Sequence, residues 1–327
     1  MKAFVHEYGE LKLKEMEAPH ANEGEVVVAL RSAGLNRRDV NLPNRRGEKD
    51  EALILGSDGA GIVEEVGAGV SNHQVGDEVI INPALRWKEN SDAPPERFDI
   101  LGLPDHGTFA EKIAISAEQV EPKPEHLSWE EAGVVALAGL TGYRALFTKG
   151  QVKELDTVFI PGAGSGVATY LIQFAKNAGA RVIVSSRSKD KQRRARELGA
   201  DVVLDNEQDW PEELQNETVD LVIDSVGRAT FNRSLEVLKK GGRMVVFGAT
   251  TEDEVPFNLR KFFYGQYQLF GTTMGSRQEL RAMLDHLKNF TMHPVVDRSF
   301  LMEDFPEAFE YLKEGKQFGK IAVKVSE

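Results

Sequence analysis

Residues 162–168 read GAGSGVA and follow an apolar run, VFIP, at 158–161. Glycines at 162, 164 and 166 leave a backbone that a phosphate oxygen can approach, because a larger Cβ at such a position would hold it away. The match to G-x-G-x-x-G is imperfect. Counted from Gly162 the last position holds Val167, and counted from Ala163 the small positions fall on Ala163, Ser165 and Ala168. Context decides between a ligand cradle and a bare turn. The residues that follow, VATYLIQFAKNAG, read as a helix, so the glycines lie between a strand and a helix N-terminus, where free N–H groups favour an anion. That is the chemistry of a pyrophosphate cradle, with Gly164, Ser165, Gly166 and Val167 as its expected contacts.

The end of the next strand, ARVIVSS at 180–186, addresses which nucleotide is bound. An Asp or Glu there would accept from a ribose 2′-OH, whereas small or basic residues suit a 2′-phosphate. Ser186 stands in the acid's place, with Arg187, Lys189 and Lys191 beside it. A carboxylate would repel the phosphate, and guanidinium or ammonium groups would pair with it. Ser186, Arg187 and Lys191 therefore predict NADPH. The competing reading is a solvated basic face on the following helix.

These groups must be positioned by a sheet. From 126 to 270 strands (TVFIP, ARVIVSS, DVVLD, DLVIDSV, RMVVFG, QLFGT) alternate with helical stretches (VATYLIQFAKNAG, KDKQRRARELGA, ATFNRSLEVLKKG). Apolar strands alternating with helices predict a doubly wound parallel sheet, and six strands make a full dinucleotide-binding unit. From 1 to 125 short Val- and Ile-rich runs punctuated by Gly, Asn and Asp predict an antiparallel barrel. A loop at 83–106 interrupts it. The tail carries helices at RQELRAMLDHLKNF and EDFPEAFEYLKEG and a last strand, KIAVKV, expected to rejoin the barrel. The expected domains are 1–125 with 271–327, and 126–270.

Composition narrows the classes. The 327 residues are 41% hydrophobic and 28% charged, as in ordinary globular proteins. A formal net charge of −12 argues against a nucleic-acid partner, which needs a basic footprint. No apolar run is long enough to span a membrane, the start MKAFVHEYGELKLKEME lacks a signal-peptide core, and the cytoplasm is expected. The chain has no cysteine, which excludes disulfides and thiolate zinc sites. None of the seven histidines has metal-ligand spacing to another. His106, at the end of the long loop, could line a cleft.

AGLNRRD (33–39), GSDGAGIVEEVG (56–67), VGDEV (75–79), GTFAEK (107–112), ALAGLTGYRAL (136–146), VFIPGAGSGVA, DSVG (224–227) and FGKIAVKV together resemble the medium-chain dehydrogenase/reductase superfamily over essentially the whole chain. The resemblance implies an α/β protein with a GroES-like β-barrel catalytic domain, completed by the C-terminal segment, and a Rossmann cofactor domain. Alcohol dehydrogenases of that superfamily hold a catalytic zinc through a Cys in the first motif, a His-Glu pair in the second and a third ligand before the T-G-Y. Here those positions hold Asn36, Ser57 with Asp58, and about Leu137, so no metal is expected. The position two after the Cys, which relays the alcohol proton in those enzymes, is Arg38.

Without a Lewis acid, hydride transfer is easier to an acceptor whose charge is delocalised. The zinc-free branch that the chain resembles, the quinone oxidoreductases and enone/enal reductases, does that work. By resemblance Asn36 and Thr141 lie beside the nicotinamide, and Asn36, Arg38 and Thr141 are the catalytic candidates. Asn36 would polarise a carbonyl through its amide N–H; Arg37 or Arg38 would face the pyrophosphate or solvent. Val226, Gly248, Ala249 and Thr272, at the ends of the later strands, and Lys320, through the cofactor phosphate, complete the expected cofactor contacts. Some members carry a Tyr two residues after the Asp matching Asp39; here it is Asn41, so no side chain is assigned as proton donor and solvent is left as the source. The expectation is an NADPH-dependent reductase of a small quinone or α,β-unsaturated carbonyl, as a homodimer. The alternatives are an aldehyde or ketone reductase, and a weakly catalytic NADPH-binding sensor.

Overall fold

The longest strand in the chain, EVVVALRSAGL, has four β-branched or leucine side chains in its first six residues and no proline, and it organises the first of two units. The computed structural model describes residues 1–47 and 49–326. It divides into one unit of Met1–Leu140 with Gly275–Glu327 and another of Thr141–Met274.

In the first unit the strands are β1 (Lys2–Glu7), β2 (Glu10–Glu15), β3 (Glu25–Leu35), β4 (Leu53–Ile54), β5 (Asp58–Val66), β6 (Glu78–Ile81), β7 (Ala84–Leu85), β8 (Asp99–Ile100), β9 (Lys112–Ser116) and β10 (Val120–Pro122). Its first helices are α1 (Arg37–Asn41) and α2 (Trp129–Ala132); α3 (Ala136–Tyr143) starts in this unit and its last three residues belong to the second. The main sheet runs β10-β6-β5-β3 and continues into two strands from the far end of the chain, β18 (Lys320–Lys324) and β17 (Val296–Leu301). β18 lies antiparallel to β3, with Ile321 opposite Leu35. This is the GroES-like domain, and KIAVKV closes it as its pattern predicts.

Aromatic packing fastens the two ends together. Phe305, on the helix Phe305–Glu314, stacks on Phe4 at 4.8 Å and tilts onto Phe109 at 4.7 Å. All three are buried, and such pairs add about 0.5–1.5 kcal/mol beyond the area they bury.

The segment expected as a loop at 83–106 is partly built. β7 and β8 pair, Trp87 is buried edge-on to Phe98 at 5.3 Å, and Arg86 pairs with Asp99. Its far end crosses very close to Gly56: a Cβ on Gly102 or Gly107 would lie 2.7 or 2.0 Å from the Gly56 carbonyl oxygen. Only glycine permits that approach.

In the second unit β11 (Thr157–Pro161), β12 (Arg181–Ser186), β13 (Val202–Asp205), β14 (Val219–Asp224), β15 (Leu238–Val246) and β16 (Gln268–Gly271) form one sheet. Its order is β13-β12-β11-β14-β15-β16, with every pair parallel. That is the Rossmann order, whose direction reverses between β11 and β14. The helices are α4 (Gly166–Asn177), α5 (Lys189–Glu197), α6 (Trp210–Glu213), α7 (Phe231–Val237) and α8 (Leu259–Gly265). α7 is shorter than the helix expected over ATFNRSLEVLKKG. Leu238 turns extended at ψ 130° and pairs with Val219, so LKKG opens β15 instead of closing the helix. α6 and α8 are short additions that the sequence pattern does not mark. Two helices complete the chain in the first unit, α9 (Arg277–Asn289) and α10 (Phe305–Glu314). Among the described residues no helix is long and apolar enough to cross a membrane.

Candidate functional site

In the second unit the glycine loop runs from β11 into α4. Gly162 takes a φ of +82°, which favours glycine, and the N–H groups of Gly162 and Ala163 donate to the Ser185 carbonyl. Ser165 caps α4 by accepting from the Ala168 N–H at 3.1 Å. The N–H groups of Gly164, Gly166 and Val167 have no protein acceptor among the described residues, so three donors gather at one helix N-terminus. A Cβ on Gly164 would sit 2.5 Å from Lys191 Cδ and 3.1 Å from its Nζ. The lysine's stem therefore lies along the loop, and its ammonium sits beside the open donors. These residues fit a pyrophosphate.

Ser186 ends β12 buried, with its hydroxyl accepting from the Ser188 N–H at 3.2 Å. Arg187 is exposed. Lys189, counted with the basic group, pairs instead with Asp205 at 2.7 Å. That contact and a hydrogen bond from Gln192 hold the Asp205 carboxyl down at about 2.

The later contacts are also fixed locally. The Val226 N–H donates to Asp224 Oδ1 at 2.8 Å, and the other Asp224 oxygen accepts from Thr230 at 2.7 Å and Ser234 at 2.9 Å. Gly227 has a φ of +95°, and a Cβ there would meet that of Ala249 at 3.0 Å. Gly248 lies beside Ser225 with room for an ordinary contact. Thr272 donates its N–H to the Val246 carbonyl, while its buried hydroxyl has no partner among the described residues. Thr141 is buried. Tyr143 packs on Phe147 and Phe174.

In the first unit a second constellation forms where α1, β5 and β18 converge. Lys320, at the start of β18, is 3% exposed, and Asp58, at the start of β5, is fully buried. The Lys320 ammonium donates to Asn36 Oδ1 at 2.6 Å, Asp58 Oδ2 at 3.0 Å and the Leu35 carbonyl at 2.9 Å. Its three N–H bonds have three acceptors, so the phosphate contact expected of Lys320 gives way to an internal pairing. A buried ammonium needs such a partner, because desolvation penalises an unpaired charge heavily.

Asn36 is oriented by the same pairing. Its carbonyl faces the lysine, and its amide donates to Asp58 Oδ2 at 3.0 Å and toward the Gly34 carbonyl at 3.4 Å. The N–H expected to polarise a substrate is thus drawn to the buried carboxylate. Asp58 Oδ1 accepts from the Leu137 N–H at 2.7 Å.

Arg38 differs from all of these. One terminal nitrogen donates to Ser57 Oγ at 2.5 Å and to the Leu101 carbonyl at 2.8 Å, and Ser57 itself donates to Leu101 at 2.7 Å. Burial lowers the guanidinium's affinity for its proton, against the attraction of Asp39 and Asp58. Asp39 is fully buried, accepts from the Asn36 N–H at 2.7 Å and leaves Oδ1 without a partner among the described residues. Desolvation pushes its carboxyl up to about 6. Arg37 is exposed and donates to the Leu312 carbonyl at 3.2 Å. His106 accepts from the Ile54 N–H at 3.2 Å, a structural contact.

Zinc requires three or four N, S or O ligands. The oxygens of Asp58 and Asn36 already accept from Lys320, Asn36 and Leu137, and among the described residues no group of three His, Cys, Asp or Glu comes together. These residues do not fit a zinc ion.

Residues 22–125 match the model of the alcohol dehydrogenase GroES-like domain, and 166–289 match that of the zinc-binding dehydrogenases. The chain is 32% identical over 343 residues to a zinc-type alcohol dehydrogenase-like protein, YogA, of Leptosphaeria maculans, covering 97% of this chain and 95% of that one. It is 27% identical to a crotonyl-CoA reductase of Streptomyces avermitilis, over 96% of this chain and 81% of that one. A solved structure of an NAD-dependent alcohol dehydrogenase superposes with a TM-score of 0.92 at 33% identity, covering 100% of both chains.

Proposed function

The chain belongs to the medium-chain dehydrogenase/reductase superfamily, and on that premise we propose that this oxidoreductase uses NADPH to reduce a quinone or an α,β-unsaturated carbonyl without zinc. One observation carries the reading. The groups at the positions that zinc-dependent relatives use are tied to one another and to Lys320, so the charge of this site comes from side chains. The bound nicotinamide supplies a hydride. Gly164, Gly166 and Val167 would hold the pyrophosphate through their N–H groups, with Lys191 beside them, and Arg187 and Lys191 would pair with the 2′-phosphate. The NAD-dependent relative makes cofactor preference a necessary measurement.

A second reading, reduction of simple aldehydes or ketones, is favoured by the alcohol dehydrogenases among the relatives. A panel of quinones, enones, enals and aldehydes, each with NADPH and NADH, separates the two. Saturated carbonyl or hydroquinone as product supports the first reading, and alcohol as product supports the second. Metal analysis is expected to find far less than one zinc per chain, with activity unchanged by chelators. Stoichiometric zinc, or activity lost to a chelator and restored by zinc, would overturn the metal-free assignment.

We further propose a homodimer through the outer strand β16. Leu269 on that strand and Leu259, Phe263 and Tyr264 on α8 are exposed apolar side chains, and an open sheet edge of this kind invites a second copy. Sedimentation showing only monomer at micromolar concentration would remove this proposal.

A further inference from the structure

We infer that Arg38 binds the oxygen of the acceptor, serving as the site's electrophile; the inference rests on the oxidoreductase reading and deepens it. Elimination among the donors at this end of the first unit leads to it. Every N–H of Lys320 has an acceptor, and the amide of Asn36 is directed to Asp58 and Gly34. Arg38 uses one terminal nitrogen to hold Ser57 and Leu101, both neutral oxygens. Its Nε and second terminal nitrogen have no protein partner among the described residues, and they are not among the sealed, unpartnered atoms of the interior. Three N–H donors of a half-buried guanidinium thus remain open.

No carboxylate among the described residues pairs with it: Asp39 and Asp58 both attract the guanidinium, Asp39 the more strongly, but the two Asp58 oxygens are spent on Leu137, Asn36 and Lys320. Asp39 makes no ion pair with Arg38, and Arg45 adds a second positive charge to the neighbourhood. Lys320 therefore acts here as a positioning residue: by taking Asp58 it leaves the guanidinium uncommitted. An uncommitted guanidinium of fixed orientation matches a carboxylate, an enolate or a carbonyl oxygen gaining charge. Ser57 and the Leu101 carbonyl set that orientation.

In an α,β-unsaturated carbonyl, the hydride forms the new C–H bond at the β-carbon, the C=C π pair moves toward the carbonyl, and the oxygen carries the charge as an enolate. Arg38 holds that oxygen without giving up its proton. A proton from water then adds to the α-carbon, the C=O bond reforms, and the saturated carbonyl leaves. Electrons from the nicotinamide and one solvent proton complete the balance.

The test pairs binding with turnover. Benzoate, a stable carboxylate, is titrated calorimetrically into the NADP⁺-loaded wild type and into Arg38→Met, Arg38→Lys and Ser57→Ala variants. NADPH affinity and kcat/KM for an enone are measured on the same preparations. Arg38→Met is expected to weaken benzoate at least about tenfold and lower kcat/KM by about 10²–10³-fold, with the NADPH Kd unchanged. Arg38→Lys, a charge without the fork, and Ser57→Ala, a charge with one anchor removed, should fall between. If Arg38→Met fails to fold, these last two decide: wild-type binding and turnover in both would overturn the inference. A folded Arg38→Met that binds benzoate and turns over like wild type would overturn it outright. A wild type that reduces no acceptor but binds benzoate through Arg38 would remove the proposed activity and leave the anion site standing.

Discussion

Two sets of basic residues in this molecule are held in opposite ways. Lys320 is 3% exposed and makes three hydrogen bonds of 3.0 Å or less inside the first unit. Arg187 is exposed on the second unit, at the turn between β12 and α5. The buried ammonium is part of the architecture, since removing it strands an ionised Asp58 in the interior. The exposed guanidinium contributes little to folding, because surface pairs are screened and entropically loose. The same kind of charge thus serves stability in one place and, in the proposed 2′-phosphate contact, recognition in the other, with burial as the difference between them.

The sharpest way to break the comparison is Lys320→Met. Leaving one partner of a buried ion pair unpaired costs about 3–5 kcal/mol, so the urea midpoint should fall steeply with the m-value unchanged. A double variant, Lys320→Met with Asp58→Asn, should recover a large part of that loss, which a chemical-denaturation cycle measures. Additive losses would mean that the pair does not act as a unit.

On the other side, Arg187→Ala with Lys191→Ala should leave stability near wild type. It should weaken NADPH by about 1.5–3 kcal/mol for each charge-assisted hydrogen bond removed, with NADH affinity little changed. Fluorescence titration of both cofactors reads this directly, and equal weakening of the two would contradict the 2′-phosphate assignment.

Asp39 sharpens the comparison from a third direction, as a buried acid with one oxygen unpartnered. Its carboxyl is raised to about 6 by desolvation, against Arg38, the Asn36 N–H and Lys320, with Asp58 adding to the rise. A carboxyl raised on folding stabilises the protein below its unfolded pKa, and that contribution is lost as pH climbs through the folded value. Stability should therefore decline from roughly pH 4 to roughly pH 6, by on the order of 2–3 kcal/mol. Asp39→Asn should flatten this decline in a series of thermal midpoints. The smallest expected effect is Ser165→Ala, which removes the α4 cap for about 1 kcal/mol in the same denaturation assay.

Much of the fold is legible in the sequence because its signals are local. Six apolar strands, each followed by a turn or a helix, announce the second unit, and GAGSGVA places its glycine turn between β11 and α4 without reference to any distant residue. The failures have equally local causes. LEVLKK reads as helix by composition, yet Leu238 is needed opposite Val219, and tertiary pairing overrides propensity. The constellation in the first unit is different in kind. Lys320 meets a carboxylate 262 residues away, and no spacing rule connects them. A lysine between a glycine and a run of strand residues points, by resemblance, to a cofactor phosphate and not to a buried carboxylate. Only the antiparallel register of β18 on β3 brings it indoors, beside Asn36. The same long-range closure redirects the Asn36 amide, whose freedom depends on neighbours far away along the chain.

The crossing at Gly56 has a consequence for protein engineering. The 83–106 segment is fixed near its start by the Trp87 carbonyl, which accepts from the Arg277 N–H at 2.8 Å. It is fixed at its far end by the close approach of Gly102 and Gly107 to Gly56. Leu101, which supports Arg38, stands inside the second clamp. The stretch between, around 92–97, is exposed for most of its length, and an exposed tip between anchored ends tolerates inserted sequence well. An affinity tag or a fluorescent reporter grafted there would attach outside both clamps, and outside the contacts with Ser57 and Leu101 that hold Arg38.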